Sequence, residues 1–118
     1  MKITKTEDLT VFKRTHKLTL EIYRITEKFP KEEQWGLTSQ IRRSTASICA
    51  NLLEGSHRIN SKEYRQFVGI AKGSSGEVKY HLLLAYDLGY LSWEEYAKLK
   101  DEIEEISKML HGLIKSLG

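Results

Sequence analysis

Three arrangements of side chains in this 118-residue sequence could carry chemistry. Ser74 and Ser75 stand close to Glu77 in the run Ala71 to Glu77, as a serine nucleophile with a nearby acid would. That run is neither a nucleophile elbow nor a phosphate loop, and spacing couples no histidine to it, so catalysis is not expected. Glu54 and His57 share the Glu-x-x-His spacing of di-iron bundles, but such sites need the motif on two helices and no second copy exists. Glu77 and His81 lie one helical turn apart, a common surface pairing that recruits no third ligand, and His16 and His111 read as packing or surface residues. Neither a metal nor a cofactor is expected. The third arrangement is cationic. Lys13, Lys17, Arg24 and Lys28 share one side of a first helix, and Arg65, Lys72 and Lys79 recur every seventh residue on a third. Such rows could track phosphates through counterion release; in an isolated monomer they read equally as a solvated charged face.

The elements that must position these residues are all helical. A single proline, eight glycines and long segments of 3.6-residue period predict helices over about 7–28, 31–54, 61–88 and 93–116. Thr6, Glu7 and Asp8 open the first, Phe29 and Pro30 end it, and Gly36 is a potential break near the start of the second. Gly55 is expected to cap the second helix, Asn60 with Glu63 to open the third, Gly89 to close it, and Ser92 with Glu95 to open the fourth, Leu91 stapling onto Tyr96. In the last helix Tyr96, Leu99, Ile103, Ile106, Leu110, Leu113 and Leu117 alternate spacings of three and four, a bundle seam. Phe67, Ala71, Ser74, Val78, Leu82 and Ala85 stay in phase across the glycine- and serine-containing run, so the third helix is continuous. The expected fold is all-α, an antiparallel up-down-up-down four-helix bundle.

Helix 1 has two apolar stripes. Val11, Leu18, Ile22, Ile25 and Phe29 form one; Leu9, Phe12, His16, Leu20 and Tyr23 form another on nearly the opposite side. A four-helix bundle buries one stripe per helix, so the second is expected to be an oligomer interface. On helix 2, Gln40, Arg43, Ser47, Asn51 and Glu54 fall in a narrow arc beside the stripe of Leu37, Ile41, Ile48 and Leu52. Helix 3 offers Ser74 and Glu77 opposite them, and these residues form either an internal polar network in which Glu77 pairs with Arg43 or part of an intersubunit surface.

Composition bounds the rest. A chain of this length with 40% hydrophobic residues supplies one core. Cys49 alone cannot form an internal disulfide, which points to a reducing, cytoplasmic setting. No apolar run approaches a membrane span, and the first seven residues lack an apolar signal region. The charge of +3 is unevenly placed: residues 1–79 hold 15 basic and 9 acidic side chains, residues 80–118 hold 4 and 7. No helix-turn-helix, zinc-finger or RNA-binding signature is present, so sequence-specific readout is not indicated.

Several segments together resemble a known family. They are Asp8, Leu9, Val11 and Phe12; Phe29 to Glu33; Gly36 to Arg43; Ser47 and Ile48; Asn51, Leu52, Glu54 and Gly55; Tyr64, Arg65 and Phe67; Ala71, Gly73, Ser74 and Glu77; and Leu88 to Leu91. As a set the pattern resembles the four-helix-bundle proteins encoded in intervening sequences of 23S ribosomal RNA genes, over about residues 8–113. It departs at Cys49, where relatives often carry proline, and at Leu53, where alanine is common. The resemblance implies a bacterial, non-enzymatic bundle that assembles into a homopentamer. It also implies similarity to the accessory variability protein of diversity-generating retroelements, a basic barrel that partners reverse transcriptase and nucleic acid. On matching positions Gln40, Arg43, Ser47, Asn51, Glu54, Gly73, Ser74 and Glu77 would be the family's signature residues.

The expected function is therefore a homo-oligomer binding nucleic acid, RNA rather than DNA, without sequence readout. The alternative is a protein-interaction scaffold that docks an acidic or reverse-transcriptase-like partner.

Overall fold

The sequence punctuation sets the helix boundaries in a computed structural model that describes residues 5–118. After a 3₁₀ turn at Thr6–Asp8 come α1 (Thr10–Thr26), a second 3₁₀ turn (Lys31–Glu33), α2 (Leu37–Ser56), α3 (Ser61–Asp87) and α4 (Trp93–Leu117). There is no strand among the described residues. The second helix does not run unbroken from residue 31: Gly36 precedes α2 at φ −109 and ψ −114, outside helical space. The Glu33 carboxylate accepts the Leu37 N–H there at 3.2 Å, replacing a lost backbone partner.

Two of the expected caps form in full. Ser92 and Glu95 exchange side-chain and backbone bonds in a reciprocal capping box. Gly89 takes φ +83 after α3, with its N–H bonded to Tyr86 O and that of Tyr90 bonded to Ala85 O at 2.8 Å, the paired closure of a Schellman end. Asn60 accepts the Glu63 N–H at 2.9 Å.

Gly55 differs from expectation: it lies inside α2, which ends only after Ser56. A Cβ added there would stand 2.7 Å from Phe67 Cβ and 2.9 Å from Tyr64 Cδ1, so this glycine lets α3 approach α2 closely. Alanine normally gains about 0.5–1 kcal/mol over glycine within a helix. At Gly55 the clash with a rigid Cβ wins, and Gly55→Ala is expected to lose about 1–3 kcal/mol in urea unfolding. Gly112, inside α4 with nothing within 4 Å of an added Cβ, is the control: Gly112→Ala should gain up to about 1 kcal/mol.

The helices pack in a closed order, α1 on α2, α2 on α3, α3 on α4 and α4 on α1, with no diagonal packing among the described residues. The core contains Leu18, Ile22, Ile41, Ile48, Leu52, Val68, Val78, Leu82, Leu99, Ile103, Ile106 and Leu110, all 3% exposed or less. Thr15 and Thr45 sit in it because their hydroxyls donate to the carbonyls of Val11 and Ile41 on their own helices. At one end Phe29 packs on Tyr90 at 5.3 Å, and Tyr90 Oη donates to the second Glu33 oxygen at 2.9 Å, joining two connections. No helix among the described residues is long and apolar enough to cross a membrane.

Candidate nucleic-acid interface

The cationic rows meet different surroundings. On α1, Lys13, Lys17, Arg24 and Lys28 are all exposed. Lys17 borders a groove whose α4 wall carries Asp101, Glu102 and Glu105, and Lys28 reaches Glu95 at 3.5 Å. The Arg14 guanidinium makes two bonds to the Glu102 carboxylate, which raises its pKa further. Much of the positive charge on α1 therefore faces acids.

The row on α3 lies along the seam with α4. Arg65 Nε donates to the Ile114 carbonyl at 3.4 Å and Lys72 Nζ to His111 Nδ1 at 3.0 Å, while Lys79 Nζ pairs with Glu104 at 2.8 Å. The hydrogen bond between Lys79 and Glu104 holds the lysine above, and the glutamate below, its ordinary titration range. A groove of about 510 Å³ opens between these helices, lined by Lys72, Lys79, Lys108 and His111 as well as Ser75 and Ser107. Glu104 is its sole carboxylate among the described residues. Lys108, from a fourth helix with more acidic than basic side chains, and His111 were missed from the sequence, because only folding brings them beside the α3 row.

The internal network does not form as expected. Gln40, Arg43, Glu54 and Glu77 are exposed, and no ion pair joins Arg43 to Glu77. Glu54 pairs with Arg58 one turn on, and Asn51 Nδ2 donates to the Ser47 carbonyl of its own helix. Of the residues expected in the network, Ser47 and Ser74 alone are joined across α2 and α3, by a bond between their hydroxyls. The arc lies at the mouth of the seam, where long charged side chains reach water instead of each other.

Buried in that mouth is a contact spacing did not suggest: His81, 9% exposed, meets Ser44 Oγ through Nδ1 at 3.2 Å. Its phase, seven residues after Ser74, was the available signal. Together with Gln40, Arg43, Ser47, Ser74 and Glu77 they line a polar groove of about 350 Å³. Burial lowers the His81 pKa below its usual 6.5, against an upward pull from Glu77. With the folded value depressed, the unfolded chain binds the proton more readily, so stability is lost as pH falls through 6.5 towards the folded pKa. Urea midpoints from pH 8 to 5 should show this fall, and His81→Gln should flatten it. Cys49, driven up to about 11 by burial, stays a thiol and an inert packing group.

The second stripe of α1 divides. Leu9 and Phe12 are partly buried against the chain's own core, so part of each side chain is already covered. His16 is exposed and stacks on Phe12, while Leu20 and Tyr23 are 56% and 44% exposed. No group of three His, Cys, Asp or Glu side chains among the described residues is placed to hold a metal ion.

Comparison with known proteins gives a consistent picture. The family described as 23S rRNA-intervening sequence protein matches residues 7–112. A crystal structure of a protein of unknown function from the S23 ribosomal protein family of Bacteroides thetaiotaomicron superposes with a TM-score of 0.80 at 25% identity, covering 90% of this chain and 99% of that one. A search of curated proteins returns no match.

Proposed function

Because the chain belongs to the 23S rRNA-intervening sequence protein family, we propose that it is a non-enzymatic, self-associating bundle that binds nucleic acid, structured RNA in preference to duplex DNA, without reading sequence. The observation that carries this is the α3–α4 seam, where Lys72, Lys79 and Lys108 line one groove and Arg65 extends the row. Point charges on flexible stems at this spacing neutralise phosphates and offer no base-reading geometry.

In this reading the helices alternate in direction. The pairs Arg14 with Glu102 and Lys28 with Glu95, and Ser44 with His81 and Ser47 with Ser74, each rise on one helix as they fall on the other. Self-association, pentameric by family resemblance, repeats the cationic seam around an axis and multiplies a modest charge per chain. Two exposed faces support it. One holds Leu20 and Tyr23 on α1; the other, on α3, holds Gly69, Gly73, Gly76, Tyr80 and Leu83 at alternating spacings of four and three. The latter repeats a bundle seam with no helix of the described residues upon it.

The test is an anisotropy titration against labelled structured RNA and duplex DNA at several salt concentrations, with native mass recorded on the same sample. Salt-steep binding by an oligomer is the expected result; absence of binding at low salt would overturn it and leave a protein scaffold. Leu20→Glu with Tyr23→Glu should reduce the native mass, and an unchanged oligomer would move the contact to the α3 face. These two are better probes than Phe12, whose loss would also disturb the core.

A further inference from the structure

The α3–α4 groove holds more cations than its own acids neutralise. Three ammonium groups, from Lys72, Lys79 and Lys108, face one carboxylate, Glu104. A lysine ammonium can only donate, so the 3.0 Å contact from Lys72 makes His111 Nδ1 the acceptor and leaves the ring proton on Nε2. The imidazole thus adds a second kind of donor to the groove. Ser107, half-buried on α4, supplies a hydroxyl from the same wall. The excess of two positive charges matches a phosphate group, which carries about −1.5 to −2 as a monoester near neutral pH.

We propose that this groove is a phosphate-binding site in which the Glu104 carboxylate is a built-in substitute for the ligand, occupying Lys79 until a phosphate displaces it. Both are oxyanions that accept from an ammonium, and at 2.8 Å Glu104 takes the contact a phosphate oxygen would make. Their opposed titration shifts agree with a formed pair. Both side chains are substantially exposed, and exposed pairs are weak and readily exchanged. Glu104 therefore keeps the groove from holding stray anions, and a multidentate phosphate outcompetes it by engaging Lys72, Lys108 and the His111 Nε2–H together.

The inference shares its groove with the nucleic-acid reading but does not need it, since the phosphate can come from a free small molecule or from an RNA chain. Inorganic phosphate is titrated at fixed pH and ionic strength while backbone-amide NMR shifts are followed. The expected result is saturable movement centred on Ser75, Gly76, Ser107 and His111. Lys108→Gln should weaken it roughly tenfold, and Glu104→Gln should tighten it roughly threefold to tenfold. A merely structural Glu104 predicts no tightening, and that outcome overturns the proposal, as do shifts that never saturate or spread over all exposed lysines.

A short oligoribonucleotide with and without a 5′-phosphate then assigns the source. Movement by both places the chain's phosphodiesters in the groove, and movement by the phosphorylated form alone places its end there. If inorganic phosphate binds and neither the oligonucleotides nor structured RNA compete with it, the site stands as one for a free phosphate compound and the nucleic-acid reading fails.

Discussion

Replacing Arg65, Lys72 and Lys79 together with glutamine should lower affinity for structured RNA roughly a hundredfold near 0.1 M salt and reduce the salt slope by about two to three. Each lysine or arginine on a phosphate releases close to one counterion, so three lost contacts account for the change in slope. Replacing Lys13, Lys17 and Arg24 should cost much less, since Lys17 faces the acidic wall of α4. Equal losses from both triples would mean that charge acts as a diffuse total; unchanged affinity in the α3 triple would remove the seam from the interface.

Leu82→Ala should destabilise the chain by about 3–4 kcal/mol and lower its midpoint by roughly 10–15 °C, read by thermal unfolding at fixed protein concentration. Leu82 is fully buried on α3, the helix that packs against both α2 and α4, and a cavity there has no single neighbour able to fill it. The adjacent Leu83 is 41% exposed on the outer face. Leu83→Ala should cost under about 1 kcal/mol within the chain while lowering the native mass. One peptide bond thus separates a residue that holds the bundle from one on the face proposed for self-association, because successive helical positions lie about 100° apart. A Leu82 variant with parental stability would mean that α3 packs differently.

Periodicity and caps made most of this fold legible. The seam of α4 is buried at Tyr96, Leu99, Ile103, Ile106 and Leu110 as its spacing requires, and the turns around Gly89 and Ser92 close as their residues dictate. Gly55 misled because glycine serves two ends, left-handed backbone and close approach, and only the partner helix decides between them. The polar arc of α2 misled for a related reason. Angular position about 100° from the apolar stripe marks the edge of a seam, and whether an edge is dry depends on how closely the neighbouring helix comes. Leu9 and Phe12 share an angle with Leu20 and Tyr23 but lie at the start of α1, Leu9 as its N-cap, so one stripe met two environments. For the candidate site, the α3 row was visible as a heptad of cations. Its counterpart Glu104 and its reinforcement by Lys108 and His111 needed the pairing of α3 with α4, which no single helix encodes.

The joint made by Phe29, Glu33 and Tyr90 bears on how such a chain can vary. It binds the α1–α2 connection to the α3–α4 connection, and Glu33 also caps α2, so one carboxylate fixes the length of one loop and the position of another. An added residue in the α3–α4 connection would disturb both contacts of Tyr90, and one in the α1–α2 connection would disturb the Glu33 cap of α2 as well. Among the described residues the turn between α2 and α3 carries no such tie, and Ile59 there is 96% exposed. Insertions, fused tags and new recognition loops are therefore admissible at that end of the bundle, while the joined end admits substitution but not changes in length.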